Sequence, residues 1–82
     1  MKIEDLGFVK ASKYRQKILK ELTEGKEIPS EIAKKLDTSK PQISSTLKEL
    51  KERKIVECVT PERRKGRIYD LTEKGRKIVK EL

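Results

Sequence analysis

Arg63, Arg64, Lys65 and Arg67 stand within five residues, grouped around Gly66. Side chains of this kind offer positive charge and hydrogen-bond donors but no nucleophile, so their chemistry is the recognition of an anion. Four like charges held this close oppose folding unless water screens them or phosphate meets them. A second set lies upstream in SKPQISSTLK, residues 39–48, where Lys40 and Lys48 meet no acid before Glu49. Between them Gln42 carries an amide that can pair with adenine. Ser39, Ser44 and Ser45 carry small hydroxyls that allow close approach, and lysine reaches guanine or phosphate. The two sets together suit a protein that grips nucleic acid, one for the backbone and one for base edges.

Other chemistries find little support. The chain has 82 residues, no His and one Cys, so no Ser–His or Cys–His pair can build a nucleophile and no His/Cys metal set is expected. No Gly-rich phosphate loop is present. The expectation is a non-enzymatic protein without metal or cofactor. No run of apolar residues is long enough to span a membrane, and MKIEDLGFVK lacks the apolar stretch of a secretory signal. A single Cys cannot form an internal disulfide, which suits the cytoplasm.

Charged residues are 44% of the chain and apolar residues 33%, so the core must be small and much of the sequence is surface. The 16 Lys and 11 Glu give a surface of the kind found in heat-loving organisms. The net charge of +8 is uneven: residues 39–67 carry nine basic and four acidic groups, against nine and seven over residues 1–38. This local excess is the electrostatic footprint of a polyanion binder.

The elements that must position the two sets follow from periodicity. Residues 1–11 form a lead-in whose Ile3, Leu6, Phe8 and Val9 pack either on the core or on a partner. Ser12 caps a helix, KYRQKILKELTEG, with Tyr14, Ile18, Leu19 and Leu22 on one buried face and Gly25 closing it. Pro29 and Glu31 open a helix of about two turns with Ile32, Ala33 and Leu36 inward. Its start is open, because Ile28 is a poor cap and reads equally as part of a short strand. After a short turn, Ser39 and Gln42 have the spacing of a capping box for a third helix of about 14 residues, its stripe Ile43, Leu47 and Leu50. The period then changes to two. IVECVT and RIYDL read as strands joined by a turn at Pro61 and Gly66, and Thr72 caps a last helix with Ile78, Val79 and Leu82 inward. Gly75 weakens the start of that helix.

Three helices followed by a two-stranded hairpin is the order of a winged helix-turn-helix, mainly α with a small antiparallel hairpin, and residues 1–82 form a single domain. In that arrangement the third helix leaves one face free for the major groove, and the wing loop reaches the neighbouring phosphates or minor groove. LKELKERKIV, KGRIYDLTEKG and SKYRQKILKEL carry a family resemblance. Over residues 12–80 the sequence resembles the winged-helix core of MarR-type and ArsR-type transcriptional regulators, most closely small archaeal members. The resemblance implies that Ser39, Lys40, Gln42, Ser44, Ser45 and Lys48 occupy recognition-helix positions and that Arg63, Arg64, Lys65 and Arg67 occupy the wing. The implied function is sequence-specific binding of double-stranded DNA. The chain departs from the family in lacking the metal-binding Cys/His sets of ArsR-type sensors and the long terminal helices of MarR-type dimers. A homodimer would use residues 1–11 and 73–82. Two alternatives fit the same residues: a winged-helix module for protein partners, and a chromatin-like protein that binds DNA without sequence preference.

Several side chains are expected to be structural. Cys58 reads as a small buried apolar residue, Tyr14 and Tyr69 as core, and Glu49 as the ion-pair partner of Arg53 one turn on.

Overall fold

The computed structural model describes residues 3–82; the first two residues of the expected lead-in lie outside it. Seven elements follow in order: α1 (Ile3–Lys10), α2 (Lys13–Leu22), α3 (Pro29–Lys35), α4 (Lys40–Glu52), β1 (Val56–Cys58), β2 (Tyr69–Leu71) and α5 (Glu73–Lys80). The architecture is a winged helix-turn-helix. α4 packs on α2 and α3, and the hairpin folds back against α4 and α2.

The periodic stripes become the core. Ile18, Leu19 and Leu22 of α2, Ile32 and Ala33 of α3, and Ile43, Leu47 and Leu50 of α4 are buried, joined by Ile55, Val56, Leu71 and Ile78. Complete burial of one such large side chain is worth about 1.5–3 kcal/mol. Truncation of Leu47, which is 0% exposed, would cost about 2–5 kcal/mol. Tyr14, expected in the same stripe, is 40% exposed instead. It lies in the first turn of α2.

Helix ends explain where the chain turns. The Ser12 and Thr72 hydroxyls accept from the N–H groups of Arg15 and Gly75. α2 ends at Thr23, so Gly25 is not its cap but a turn residue at φ 140°, beyond the helix. Asp37 and Lys54 take positive φ, 52° and 61°, just past α3 and α4. The N–H groups that follow return to the helices, Thr38 to the Ala33 carbonyl at 3.0 Å and Ile55 to the Leu50 carbonyl at 2.9 Å. Both are Schellman closures made without glycine.

β1 and β2 are antiparallel, pairing Val56 with Leu71, Glu57 with Asp70 and Cys58 with Tyr69. Val56 is buried and Glu57 exposed, as alternation requires, while Cys58 is half-buried rather than fully enclosed. A single bridge on the other edge of β2 joins Glu27 to Tyr69 through N–H to carbonyl bonds of 3.0 and 2.8 Å. The strand-like residue before α3 is therefore Glu27, and Ile28 is the extended N-cap without a side-chain bond. Lys35 fixes Glu27 from α3, bonding its carboxylate and lying 3.1 Å from Glu21. These two carboxylates, Glu27 first, hold the Lys35 ammonium above its ordinary range.

The lead-in is a helix. Val9 enters the core, and Leu6 and Phe8 pack partly against it, while Ile3 is 88% exposed. Its anchor is a buried charge: Asp5 is 4% exposed, with Lys74 Nζ at 2.7 Å and Arg53 Nη1 at 3.4 Å. The Lys74 ammonium beside it holds the Asp5 carboxyl below its ordinary value against the opposing effect of burial, and Arg53 adds to it. Phe8 lies between two guanidiniums, Arg15 at 3.6 Å and Arg53 at 3.9 Å from the ring centre. Arg53 is thus taken by α1, and the expected Glu49–Arg53 pair does not form. Glu49 faces Arg15 at 3.5 Å.

Candidate nucleic-acid interface

α4 is started by Ser39, whose hydroxyl accepts from the Gln42 N–H at 3.3 Å, with Pro41 in the first turn where its missing N–H costs nothing. The capping box expected here is only half made. Gln42 does not reach back to Ser39; its Nε2 donates to Thr46 Oγ1 at 3.2 Å. Burial of Ile43, Thr46, Leu47 and Leu50 turns the opposite side outward, and Lys40, Gln42, Ser44, Ser45 and Lys48 are all exposed on it. Among residues 39–48 there is no acid, so the first part of this face carries only positive charge, and the exposed Glu49 and Glu52 follow it.

The wing is closed by Thr60. Its carbonyl accepts from the Arg63 N–H at 3.1 Å and its hydroxyl from the Ile68 N–H at 2.9 Å, beside the last ladder bond from Val59 N–H to the Ile68 carbonyl. The connection is longer than the expected turn between IVECVT and RIYDL, because β1 ends at Cys58 and β2 starts at Tyr69. Gly66 stands at φ 64°, which lets the chain reverse. Arg63, Arg64 and Lys65 are exposed; Arg67 is half-buried, its Nε bonding the Arg63 carbonyl.

Helix and wing meet in a notch of about 170 Å³. Five of the ten expected residues line it: Lys40 and Ser44 from α4, and Arg64, Lys65 and Arg67 from the wing. Ser39, Gln42, Ser45, Lys48 and Arg63 lie outside it, along α4 and at the near end of the loop. Ser30 in the first turn of α3 and Tyr69 of β2 also line the notch. Sequence reasoning did not reach Ser30, although a hydroxyl directly after Pro29 in a helix start is a readable signal. Tyr69 is half-buried, packing on the core and bordering the notch.

Among the described residues six cations are held in ion pairs, and the others, surface lysines on other faces included, are not. Arg15, Lys34, Lys35, Arg53, Lys74 and Arg76 each sit within 4.0 Å of a carboxylate. Among the described residues, no ion pair uses Lys40, Lys48, Arg63, Arg64, Lys65 or Arg67. The surface that holds the two sets is positive and free of carboxylate partners, a geometry that attracts and can neutralise a polyanion.

A family model described as "Helix-turn-helix domain" matches residues 11–59, from the start of α2 to the end of the first strand. No curated protein shows a significant match. Among solved structures, the adhesin competence repressor AdcR from Streptococcus pyogenes is 20% identical with a TM-score of 0.77, covering 85% of this chain and 53% of its own. A mutant of Lactococcus lactis ZitR is 27% identical with a TM-score of 0.75, over 85% of this chain and 49% of its own. An apo form of mutant ZitR is 26% identical with a TM-score of 0.76, over 95% of this chain and 56% of its own. The chain spans about half the length of these structures.

Proposed function

The chain belongs to the helix-turn-helix domain family, in the winged, MarR-like form, and we propose that it is a transcriptional regulator that binds double-stranded DNA with sequence preference. α4 enters the major groove, with Lys40, Gln42, Ser44 and Ser45 toward base edges and Lys48 toward the backbone. Ser39 holds the helix start beside the phosphates. Arg63, Arg64, Lys65 and Arg67 grip the sugar–phosphate line flanking the groove. The observation that carries the reading is the meeting of two basic sets in one notch: Lys40 and Ser44 of the acid-free start of α4 beside Arg64, Lys65 and Arg67 of the wing. The repulsion among the wing cations is relieved when phosphate replaces the missing acids.

Selection from a random duplex library with purified protein at moderate salt tests this reading. An enriched motif of several base pairs is expected. Recovery without enrichment would replace it with binding through backbone contacts alone.

The reading extends to pairing of two copies through α1 and α5, where Ile3 is exposed and Val79 and Leu82 are only partly covered. An inverted repeat with half-sites about one helical turn apart is then expected in the motif. Light scattering giving a monomer mass both free and on a selected duplex would remove the pairing and leave the DNA binding intact.

A further inference from the structure

Gln42 is held by a residue that cannot itself touch DNA. Thr46 lies one turn further along α4 and is 3% exposed. Its hydroxyl donates its only proton to the Gln42 backbone carbonyl at 2.8 Å. A hydroxyl whose proton is committed can only accept from a further partner. The group 3.2 Å from it on the Gln42 side chain must therefore be the amide nitrogen, Nε2. Turning the amide over would set its carbonyl oxygen against the lone pairs of the Thr46 oxygen.

We infer that Thr46 is a specificity-positioning residue, locking the Gln42 amide so that α4 presents Oε1 outward as an acceptor, with one N–H left to donate. The inference rests on the base-reading role proposed above for Gln42. A locked amide matches the major-groove edge of adenine, where the N6 amino group donates and N7 accepts. Guanine presents two acceptors, O6 and N7, and a glutamine meets both only by turning its NH2 group outward. The hydrogen bond to Thr46 removes that option. The lock thus converts a side chain able to read either purine into one that reads adenine.

The experiment compares duplex selection for the wild type, T46V, T46S, Q42A and the T46V/Q42A double variant. The wild type is expected to favour adenine at one position. T46V, which keeps the side-chain shape and removes the hydroxyl, is expected to admit guanine there. Its adenine preference should fall about 5- to 10-fold, toward the low end of what one bidentate pair discriminates. T46S should retain the preference. Affinity for non-specific duplex and its salt slope should not change in either, a readout that a merely structural role would disturb. In the Q42A background T46V should add nothing, since the two residues act as one unit. A T46V protein that keeps the wild-type preference while Q42A loses it would overturn the inference, as would T46S behaving like T46V. If T46V does not fold, T46A removes the same hydroxyl and serves the same comparison. A wild type without any preferred base overturns the role of Gln42 and this one with it. Side-chain amide relaxation of Gln42 in the free protein adds a test without DNA: the wild type should show a restricted amide and T46V a mobile one, and equal mobility in the two would sink the lock.

Discussion

Gly75 shows how a residue changes meaning between sequence and fold. In sequence it weakens the start of α5, because glycine costs about 1 kcal/mol relative to alanine in a helix. In the fold it is buried, and a Cβ there would stand 2.2 Å from the Ile55 carbonyl oxygen. That oxygen belongs to the backbone and also accepts from the Thr72 N–H at 3.1 Å, so it cannot move aside cheaply. Gly75→Ala is expected to lower stability by about 1–3 kcal/mol despite the better helix propensity. Urea unfolding measures it, and an unchanged or raised midpoint would show that α5 can slide away from Ile55. Asp37 and Lys54 carry the converse lesson. Both hold positive φ where glycine would be at ease, at a cost of about 1–2 kcal/mol each. No glycine marks these turns, so composition could not reveal their geometry.

Among elements, α4 was legible and α1 was not. α4 keeps Ile43, Leu47 and Leu50 inward at helical spacing and opens with Ser39, so period and cap agree. α1 buries Asp5 and Val9 and exposes Ile3. An acid inside and an isoleucine outside invert the pattern that periodicity detects. The wing was legible as a hairpin, since alternation survives in three-residue strands, but the loop was longer than the turn residues implied. The wing and α4 should fail differently. Replacing Arg63, Arg64 and Lys65 with Ala is expected to weaken binding to all duplexes alike and to flatten the salt dependence by about 2–3 units of slope, near one for each phosphate left without its cation. Gln42→Ala should leave that slope in place and relax preference at one or two positions. Titrations of matched and unmatched duplexes over a salt series separate the two, and a wing variant that alters only preference would reverse the assignment.

For the whole molecule, the buried Asp5 carboxylate fastens α1 to the end of α4 through Arg53 and to α5 through Lys74. Its pKa in the fold lies below the ordinary 3.8. The folded state therefore favours the ionised form, and the stabilisation is fully present above about pH 4. It is lost as the pH falls through the unfolded value and then through the folded one, because the unfolded chain binds the proton first. Asp5→Asn is expected to cost about 1.5–3 kcal/mol at neutral pH, the range for hydrogen bonds to a charged group. The gap between variant and wild type should close below pH 4. Chemical unfolding across pH 2–7 checks this, and a gap that persists at the acid end would mean that the carboxylate's shape matters more than its charge.

Sequence by itself determined what depends on near neighbours along the chain. The helical stripes of α2, α3 and α4, the caps Ser12, Ser39 and Thr72, the alternation of the hairpin and the basic excess over residues 39–67 are all local in this sense. From these the winged helix-turn-helix follows, because helices with one apolar stripe and a half-apolar hairpin bury themselves together in few ways. Tertiary structure alone decided what depends on residues far apart in sequence. It gave Arg53 to Asp5 and Phe8, and Glu49 to Arg15. It also brought Ser30 and Tyr69 to the notch beside Lys40 and Arg64. A charge has no preferred partner until the backbone fixes which groups lie within a few ångströms, and packing of the core sets those distances.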